Sequence, residues 1–313
     1  MAIAFTFPGQ GSQTVGMGGA IAAASRVARD VFDEVDEALG QHLFKLMTQG
    51  PEDQLTLTEN AQPALMAVSM AVLRVLEADG GLDIAARVKF VAGHSLGEYS
   101  ALAAAGTFTL SDTARLLKLR GQAMQRAVPV GQGGMAAIIG AEPADVETLC
   151  TDAAQGETCA PANDNGGGQI VISGHMGAID RAIELAKERG IKRAIKLPVS
   201  APFHSSLMQP AAEEMAQALA AVEMLPPAIP LIANVTAQPA EHPDIIRRQL
   251  VEQVTGRVRW RESVEYMVAN GIDTLVEIGS GKALSGMAKR INRDLATHAV
   301  SGPEDVEALL KLL

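Results

Sequence analysis

Apolar and polar positions alternate along the chain with two periods, and these predict strands and helices that follow each other in turn. Short apolar runs predict strands at Ala2 to Phe7, Arg87 to Ala92 and Thr274 to Ile278. Apolar positions repeat with a helical period over Ile21 to Leu39 and Ala61 to Ala78. Strands and helices in this order are typical of an α/β fold, in which helices cover a mostly parallel sheet.

Capping and breaking residues predict where the helices begin and end. Asn60 is the expected cap of the second helix, and Ser111 with Asp112 is expected to cap a helix that continues to about Ala127. After residue 198 the same pattern continues the sheet and its helices. It predicts helices at Pro210 to Val222, Asp244 to Val254 and Trp260 to Asn270, and a strand at Pro230 to Asn234.

The middle of the chain has a different order of elements. A turn-rich segment, Pro129 to Gly134, is followed by predicted strands at 135–139, 158–163, 169–173 and 192–196 and predicted helices at 144–153 and 177–189. The order β-α-β-β-α-β is that of a ferredoxin-like module. We therefore expect a small ferredoxin-like domain, residues 129–197, inserted into a large α/β-hydrolase-like domain made of residues 1–128 and 198–313.

Composition and charge narrow the classes of partner. The chain has 313 residues, of which 48% are hydrophobic and 20% charged, as in an ordinary globular protein. A net charge of -10 argues against nucleic-acid binding, which needs a concentrated basic surface. Cys150 and Cys159 match no zinc or redox spacing, so free thiols and no metal site are expected.

The apolar segments favour a cytoplasmic protein without a membrane partner. The first residues lack a cationic leader, and Pro8 and Gly9 interrupt their apolar stretch, so no secretion signal is expected. The run Ala61 to Leu76 contains Arg74 and is expected to fall short of the roughly 20 apolar residues that cross a bilayer.

A turn that follows a predicted strand carries the strongest chemical signal. Gly93-His94-Ser95-Leu96-Gly97 matches G-x-S-x-G between that strand and a predicted helix at Glu98 to Ala105. Such a turn exposes the Ser95 hydroxyl at the helix N-terminus, where the Leu96 amide and the helix dipole can stabilise an oxyanion. The alternative is that Ser95 only caps the helix. The motif by itself indicates acyl transfer or hydrolysis.

A serine nucleophile needs a base, and histidine is the side chain suited to that near neutral pH. His94 is adjacent in sequence, but the turn is expected to point its ring away from the Ser95 hydroxyl. His204 follows Pro202, which fixes the approach of the chain, and is the favoured base. From the residues alone a structural histidine at this position is equally open. The other histidines are in segments without an accompanying motif: His42, His175, His242 and His298.

Four motifs in order resemble the malonyl-CoA:acyl carrier protein transacylase family and the acyltransferase domains of polyketide and fatty acid synthases. The resemblance runs from about residue 3 to about residue 290. The motifs are Phe7-Pro8-Gly9-Gln10-Gly11-Ser12-Gln13, Gly93-His94-Ser95-Leu96-Gly97-Glu98-Tyr99, Arg120-Gly121-Gln122-Ala123-Met124 and Pro202-Phe203-His204-Ser205. The resemblance implies a Ser95–His204 dyad whose imidazole is oriented by a main-chain carbonyl near Gln253.

The resemblance also implies roles in binding. The amides of Gln10 and Leu96 would form the oxyanion hole, although Gln10 is otherwise a plain turn residue. Arg120 would bind the malonyl carboxylate through its fork-shaped guanidinium, whereas most helix arginines are solvated. Phe203 would limit the acyl group to malonyl rather than methylmalonyl. His94 and Met124 would complete the pocket, although methionine is also a routine core residue.

The implied reaction is the ping-pong transfer of a malonyl group from malonyl-CoA to the phosphopantetheine thiol of acyl carrier protein, through a malonyl-serine, to supply fatty acid synthesis. No cofactor is expected beyond the coenzyme A thioester substrate, and a monomer is expected. A thioesterase or esterase could use the same dyad, and a non-catalytic carrier-protein-binding module could keep the fold.

A net-negative enzyme needs a locally basic surface to meet an acidic carrier protein. Two groups of basic residues qualify, and either is also compatible with an ordinary solvated face. One lies in the predicted small domain, the other in the large one: Lys187, Arg189, Lys192, Arg193 and Lys196, and Arg247, Arg248, Arg257, Arg259 and Arg261.

Overall fold

The structure, a computed structural model, describes residues 1–312. Its strands are numbered along the chain as β1 (Ile3–Phe7), β2 (Val88–Gly93), β3 (Gly133–Ile139), β4 (Cys159–Asp164), β5 (Gln169–His175), β6 (Arg193–Lys196), β7 (Leu231–Ile232), β8 (Pro239–Ala240), β9 (Thr274–Ile278) and β10 (Ala296–Val300). They form one sheet of six strands and one of four.

The helices before the four-stranded sheet are α1 (Gly19–Ala24), α2 (Arg26–Leu39), α3 (Leu43–Gln49), α4 (Glu52–Thr56), α5 (Thr58–Ala78), α6 (Ile84–Arg87), α7 (Gly97–Ala104) and α8 (Leu110–Ala127). Those that follow are α9 (Pro143–Ala154), α10 (Met176–Glu188), α11 (Gln209–Ala221), α12 (Pro243–Thr255), α13 (Trp260–Ala269), α14 (Ala283–Ile291) and α15 (Pro303–Leu312). A short 3-10 helix, Ser206–Met208, precedes α11.

The six-stranded sheet has the order β10-β9-β1-β2-β7-β8. Every neighbouring pair is parallel except β7 with β8, so the predicted parallel-rich α/β fold is confirmed. Strands β1 and β2 are buried neighbours, and the segments that follow them leave the same edge of the sheet. Ligands bind in the crevice at this edge of open α/β sheets.

The four-stranded sheet has the order β4-β5-β3-β6 with every pair antiparallel. Its elements follow the predicted order β-α-β-β-α-β, and α9 and α10 supply apolar residues to a core of their own. The small antiparallel sheet is therefore separate from the large one. The boundaries at residues 129 and 197 stay a prediction, while the elements of this sheet run from Gly133 to Lys196.

Helix α5 forms the centre of the large core. It packs against α2 and α8, and nearly all of its residues are buried. With 21 residues it is longer than the predicted run, because it begins at Thr58, and by length and composition it could cross a membrane. However, 83% of its most apolar window is buried inside the molecule, as in the core helix of a globular protein.

The predicted helix limits were wrong where capping was misassigned. One predicted helix, Ile21 to Leu39, is two, because Ser25 is extended and its hydroxyl accepts a hydrogen bond from the Ala28 amide at 3.5 Å. Thr109, not Ser111, caps α8 by accepting from the Asp112 amide at 3.0 Å. Asn60 lies inside α5 and donates to the Gln54 carbonyl instead of capping the helix.

Candidate active site

The Ser95 turn is built by close contacts that only glycine permits. A Cβ on Gly97 would lie 2.2 Å from the Phe7 carbonyl oxygen, and one on Gly93 would lie 1.9 Å from Gly97. Strand β1, the turn and the start of α7 therefore approach more closely than any side chain allows. Ser95 itself has φ 55°, in the left-handed region that non-glycine residues rarely occupy. The strain exposes its hydroxyl at the edge of the sheet, as the motif predicts.

His204 lies against the Ser95 hydroxyl. The Nε2 atom is 2.8 Å from Ser95 Oγ, while Nδ1 is 2.9 Å from the Gln253 carbonyl oxygen and 3.1 Å from that of Gly256. Carbonyls only accept, so Nδ1 carries the proton and Nε2 is left as an acceptor for the hydroxyl. Burial, aided by the charge of Arg120, lowers the pKa of His204 to about 3. The imidazole is thus neutral and oriented to accept a proton.

Arg120 reaches the same hydroxyl from α8. Its guanidinium is 1% exposed and donates to Ser95 Oγ at 3.2 Å, and to the side-chain oxygens of Gln62 and Gln253 at 2.8 Å each. Its Nε has no partner among residues 1–312. Its hydrogen-bond partners in the part of the chain that the structure describes are neutral side chains, and no anion contacts it directly. Burial lowers the pKa of the guanidinium. The group is therefore suited to an anion brought in by a ligand.

Three buried polar side chains support the turn from behind: Glu98, Asn234 and Gln253. The Asn234 side chain accepts from the Ser95 amide at 2.8 Å and donates to the Gly93 carbonyl at 2.6 Å. The Gln253 amide nitrogen donates to the Ser95 carbonyl at 2.9 Å and to Glu98 at 2.7 Å. Burial raises the pKa of Glu98 to about 7.

A cavity of about 390 Å³ opens in front of Ser95, between the two sheets. Met135, Asn163 and Val171 contribute to it from the four-stranded sheet, and Ala283 and Met287 from α14. All of the predicted site residues line it except Gln253, which lies behind Ser95: Gln10, His94, Ser95, Leu96, Arg120, Met124, Phe203 and His204. Its volume is within the usual range of small-molecule pockets.

The remaining predicted residues take different positions around the cavity. The His94 ring is turned to Asn165, with its Nε2 2.9 Å from the Asn165 side-chain oxygen, and burial lowers its pKa. The Gln10 side chain is exposed and accepts from the Thr58 hydroxyl at 2.9 Å. Met124 and Phe203 are buried on the cavity wall.

Comparisons with known proteins show the family of the chain. The acyl transferase domain family matches residues 4–299. The chain is 45% identical over 309 residues to the malonyl CoA-acyl carrier protein transacylase of Escherichia coli strain K12, with 99% of each chain covered. The chain belongs to the acyl transferase family. It is also 46% identical over 313 residues to the malonyl CoA-acyl carrier protein transacylase of Bacillus subtilis strain 168, covering 99% of this chain and 97% of the other.

Solved structures of acyl transferases have the same fold. An acyl-carrier-protein-S-malonyltransferase from Bartonella henselae aligns with a TM-score of 0.98 and 59% identity, covering 100% of this chain and 99% of that one. A malonyl-transacylase in complex with a type II PKS acyl-carrier protein aligns with a TM-score of 0.96 and 41% identity over 100% of both chains. Both the α/β fold and the separate antiparallel sheet are thus those of the family.

The sequence gives weaker signals for three further residues of this acyl transferase site. Gln62 is a polar residue at the start of the apolar run of α5, and it donates to the Thr58 hydroxyl at 2.9 Å as well as accepting from Arg120. Asn234 follows the end of β7, and Glu98 directly follows the G-x-S-x-G motif. The available signals were a polar residue in an apolar run for Gln62, a polar residue after a strand for Asn234, and adjacency to the serine motif for Glu98.

In the large-domain group four of the five predicted basic residues are paired with acidic neighbours within the described chain, for example Arg257 with Glu147 at 2.8 Å. In the small-domain group only Arg189 and Lys196 are in ion pairs with residues that the structure describes. Beside the cavity, α14 and the residue that precedes it carry a third basic group that was not predicted from sequence: Lys282, Lys289 and Arg290. All three are exposed, and none takes part in an ion pair among residues 1–312. The described residues contain no cluster of three or more His, Cys, Asp or Glu that could hold a metal ion.

Proposed function

We propose that the chain transfers the malonyl group of malonyl-CoA to the phosphopantetheine thiol of acyl carrier protein, through a malonyl ester on Ser95, and so supplies fatty acid synthesis. The observation that carries the proposal is the buried Arg120 guanidinium, 3.2 Å from the Ser95 hydroxyl. A carboxylate on the acyl group would supply the acceptor that this cation lacks. The relatives' names specify malonyl transfer between coenzyme A and acyl carrier protein.

In the first half-reaction His204 Nε2 takes the proton of Ser95 as its oxygen attacks the thioester carbonyl. The main-chain amides of Gln10 and Leu96 would stabilise the resulting oxyanion, which is supported by their position on the cavity wall. His204 then returns the proton to the sulfur of coenzyme A, which leaves as its thiol. The Gln253 carbonyl holds the imidazole in the required tautomer throughout, 2.9 Å from Nδ1.

In the second half-reaction the phosphopantetheine thiol replaces coenzyme A. His204 accepts the thiol proton, the sulfur attacks the malonyl-Ser95 carbonyl, and the proton returns to Ser95 Oγ as the ester bond breaks. Over the two half-reactions the malonyl group moves from coenzyme A to the carrier thiol, and Ser95 and His204 return to their starting protonation states. The reaction uses no cofactor in this proposal, because the coenzyme A thioester already provides an activated acyl group.

Malonyl selectivity is proposed for four cavity residues. Arg120 would bind the free carboxylate, so an acetyl group would leave the buried guanidinium without its anion. Phe203 and Met124 line the same cavity and would limit substituents on the acyl chain, with His94 completing the wall. We further propose a cytoplasmic monomer in which the inserted unit spans residues 129–197.

Hydrolysis of the malonyl ester by water is the competing reaction of the same dyad. The test is to supply malonyl-CoA with and without holo acyl carrier protein, and to measure both malonyl carrier protein and free malonate. A transferase forms malonyl carrier protein faster than it releases malonate. Release of malonate at a rate unaffected by carrier protein would indicate a thioesterase, and neither product would indicate a non-catalytic carrier-protein-binding module.

A further inference from the structure

Glu98 follows the nucleophile turn directly, and no step of the proposed reaction uses it. Its side chain is 1% exposed. One carboxylate oxygen, Oε2, accepts from the Gln253 side-chain nitrogen at 2.7 Å and from the Asn234 amide at 3.3 Å. The other, Oε1, has no hydrogen-bond partner in the part of the chain that the structure describes. Burial of a carboxyl group with one oxygen unpartnered costs free energy, which the two hydrogen bonds to Oε2 offset only in part.

Both residues that donate to Glu98 also contact the Ser95 turn. Asn234 donates to Glu98 through its main-chain N–H, and its side-chain oxygen accepts from the Ser95 amide. The Gln253 side-chain nitrogen donates both to Glu98 and to the Ser95 carbonyl. Gln253 further accepts from Arg120 through its side chain and from His204 through its main chain. One residue thus contacts the nucleophile, the base and the cation, and its amide nitrogen is held by Glu98.

The Gln253 amide lies between the Arg120 guanidinium and the Glu98 carboxyl group. Arg120 donates to the amide oxygen at 2.8 Å, and the amide nitrogen donates to Glu98 at 2.7 Å. This arrangement fixes which end of the amide faces the guanidinium, since a flipped amide would place nitrogen against Arg120 and oxygen against the carboxylate. The orientation leaves the amide nitrogen free to donate to the Ser95 carbonyl as well.

We propose that Glu98 is a positioning residue for the acyl-transfer reaction. As a hydrogen-bond acceptor it fixes the Gln253 side chain and the Asn234 main-chain N–H. Through these two residues it holds Ser95, His204 and Arg120 in the relative positions that attack on the thioester requires. The role depends on where the acceptor oxygen lies and needs no contact with the acyl group. The proposal rests on the proposed function, because it concerns the rate at which Ser95 is acylated.

Three variants separate the position of the acceptor from its charge. Glu98→Gln removes the charge, but its side-chain oxygen can replace Oε2, and its nitrogen takes the place of the unpartnered Oε1. Glu98→Asp keeps the charge and withdraws the acceptor by one methylene group. Glu98→Ala removes the acceptor. Glu77→Ala is the matched control, because Glu77 is a partly buried carboxylate that pairs with Arg74 at 3.2 Å outside the Ser95 cavity.

The measurement is the single-turnover rate of malonyl-Ser95 formation at saturating malonyl-CoA, followed by intact mass. We expect Glu98→Ala and Glu98→Asp to lower this rate on the order of a hundredfold, as misplaced reacting groups do. We expect Glu98→Gln to stay within about fivefold of wild type, because it keeps both hydrogen bonds without charge assistance. The apparent Kd for malonyl-CoA should change less than the rate, and Glu77→Ala should leave both unchanged.

Folding of each variant is verified by its thermal unfolding curve. A wild-type rate in Glu98→Ala would overturn the proposal. A folded Glu98→Gln that is slower than Glu98→Asp would also overturn it, since charge rather than acceptor position would then be required. If Glu98→Ala does not fold, the comparison of the Gln and Asp variants still decides. A wild-type protein that forms no malonyl adduct would instead overturn the proposed function. That result is seen in wild type and is therefore distinct from a difference among the Glu98 variants.

Discussion

At the scale of single residues, the site depends on one buried cation beside one oriented hydroxyl. The Arg120 guanidinium has only neutral hydrogen-bond partners within the described residues, Ser95, Gln62 and Gln253. An acyl group without a carboxylate leaves the Arg120 guanidinium without an anionic partner, whereas a malonyl group would form a direct ion pair with it. Selectivity for the acyl group is therefore expected to depend on this residue more than on the dyad.

The first prediction concerns Arg120→Ala. We expect the ratio of kcat/KM for malonyl-CoA to that for acetyl-CoA to fall by about 10- to 100-fold, which corresponds to the ~1–3 kcal/mol of an unpaired buried group. Loading of the two coenzyme A esters, followed by mass, measures this ratio. Arg126→Ala is the control, since Arg126 lies on the same helix but is exposed and paired with Glu214 at 2.7 Å. An unchanged ratio in Arg120→Ala would contradict the role of this residue.

The second prediction concerns pH. The base is active as neutral imidazole, and its pKa is lowered to about 3, so protonation begins well below the ordinary value of 6.5. We expect kcat/KM for malonyl loading to stay constant as pH falls from about 8 to about 5, as far as the fold remains intact by circular dichroism. Glu98, with its pKa raised to about 7, is a second group beside the dyad that titrates in this range, so the profile is measured in wild type and in Glu98→Gln. A rate that halves near pH 6.5 in both proteins would indicate an unperturbed histidine and contradict this environment.

At the scale of elements, the sequence predicts order well and limits poorly. All four strands and both helices of the ferredoxin-like unit follow the predicted order, because each has a clear period and a glycine or proline near its ends. Strand β10, Ala296–Val300, was missed because its half-buried edge position needs no apolar pattern. Ser25 divides a continuous helical period, since its hydroxyl makes a local cap that periodicity does not reveal.

The site was predictable where one segment carries it and unpredictable where partners meet across the chain. Ser95 and its glycines follow from one turn motif with a strand before it and a helix after it. His204, Arg120 and the Gln253 carbonyl needed the family resemblance, because no sequence spacing brings residues 95, 120, 204 and 253 together. Glu98 and Gln62 were missed for the same reason, since their partners are remote in sequence.

The third prediction tests the close packing of the turn. In Gly97→Ala the new Cβ would lie 2.2 Å from the Phe7 carbonyl oxygen, so β1 and α7 must separate. We expect the free energy of unfolding in urea to fall by about 3 kcal/mol, as for overpacking. Gly286→Ala is the control, because its Cβ meets only the end of Arg290 at 3.8 Å in helix α14, and it should be neutral or gain up to about 1 kcal/mol. Equal stability of the two variants would refute the packing argument.

At the scale of the whole molecule, a chain with a net charge of -10 is proposed to bind an acidic carrier protein. Attraction then depends on local cations at the mouth of the cavity. Arg290 donates to the Gln169 side chain at 3.3 Å, and Gln169 lines the cavity. Helix α14 is therefore proposed as a docking surface because of its position beside the cavity mouth, alongside the two groups predicted from sequence.

The fourth prediction follows from this surface. We expect the double variant Lys289→Glu, Arg290→Glu to raise KM for acyl carrier protein several-fold at low salt and to leave KM for malonyl-CoA nearly unchanged. The difference should shrink at high salt, because exposed charges are screened. Arg26→Glu is the control, since that side chain is 93% exposed and lies on α2. Equal increases in both KM values would contradict docking of the carrier protein here.

The most direct test of the proposed function is to weigh the protein after reaction. Wild-type protein mixed with malonyl-CoA should gain the mass of one malonyl group on the peptide that contains Ser95, and Ser95→Ala should gain none. Addition of holo acyl carrier protein should then remove the malonyl group from the enzyme and transfer it to the carrier. A malonyl group on another residue, or an adduct that water releases but carrier protein does not accept, would contradict transfer through Ser95.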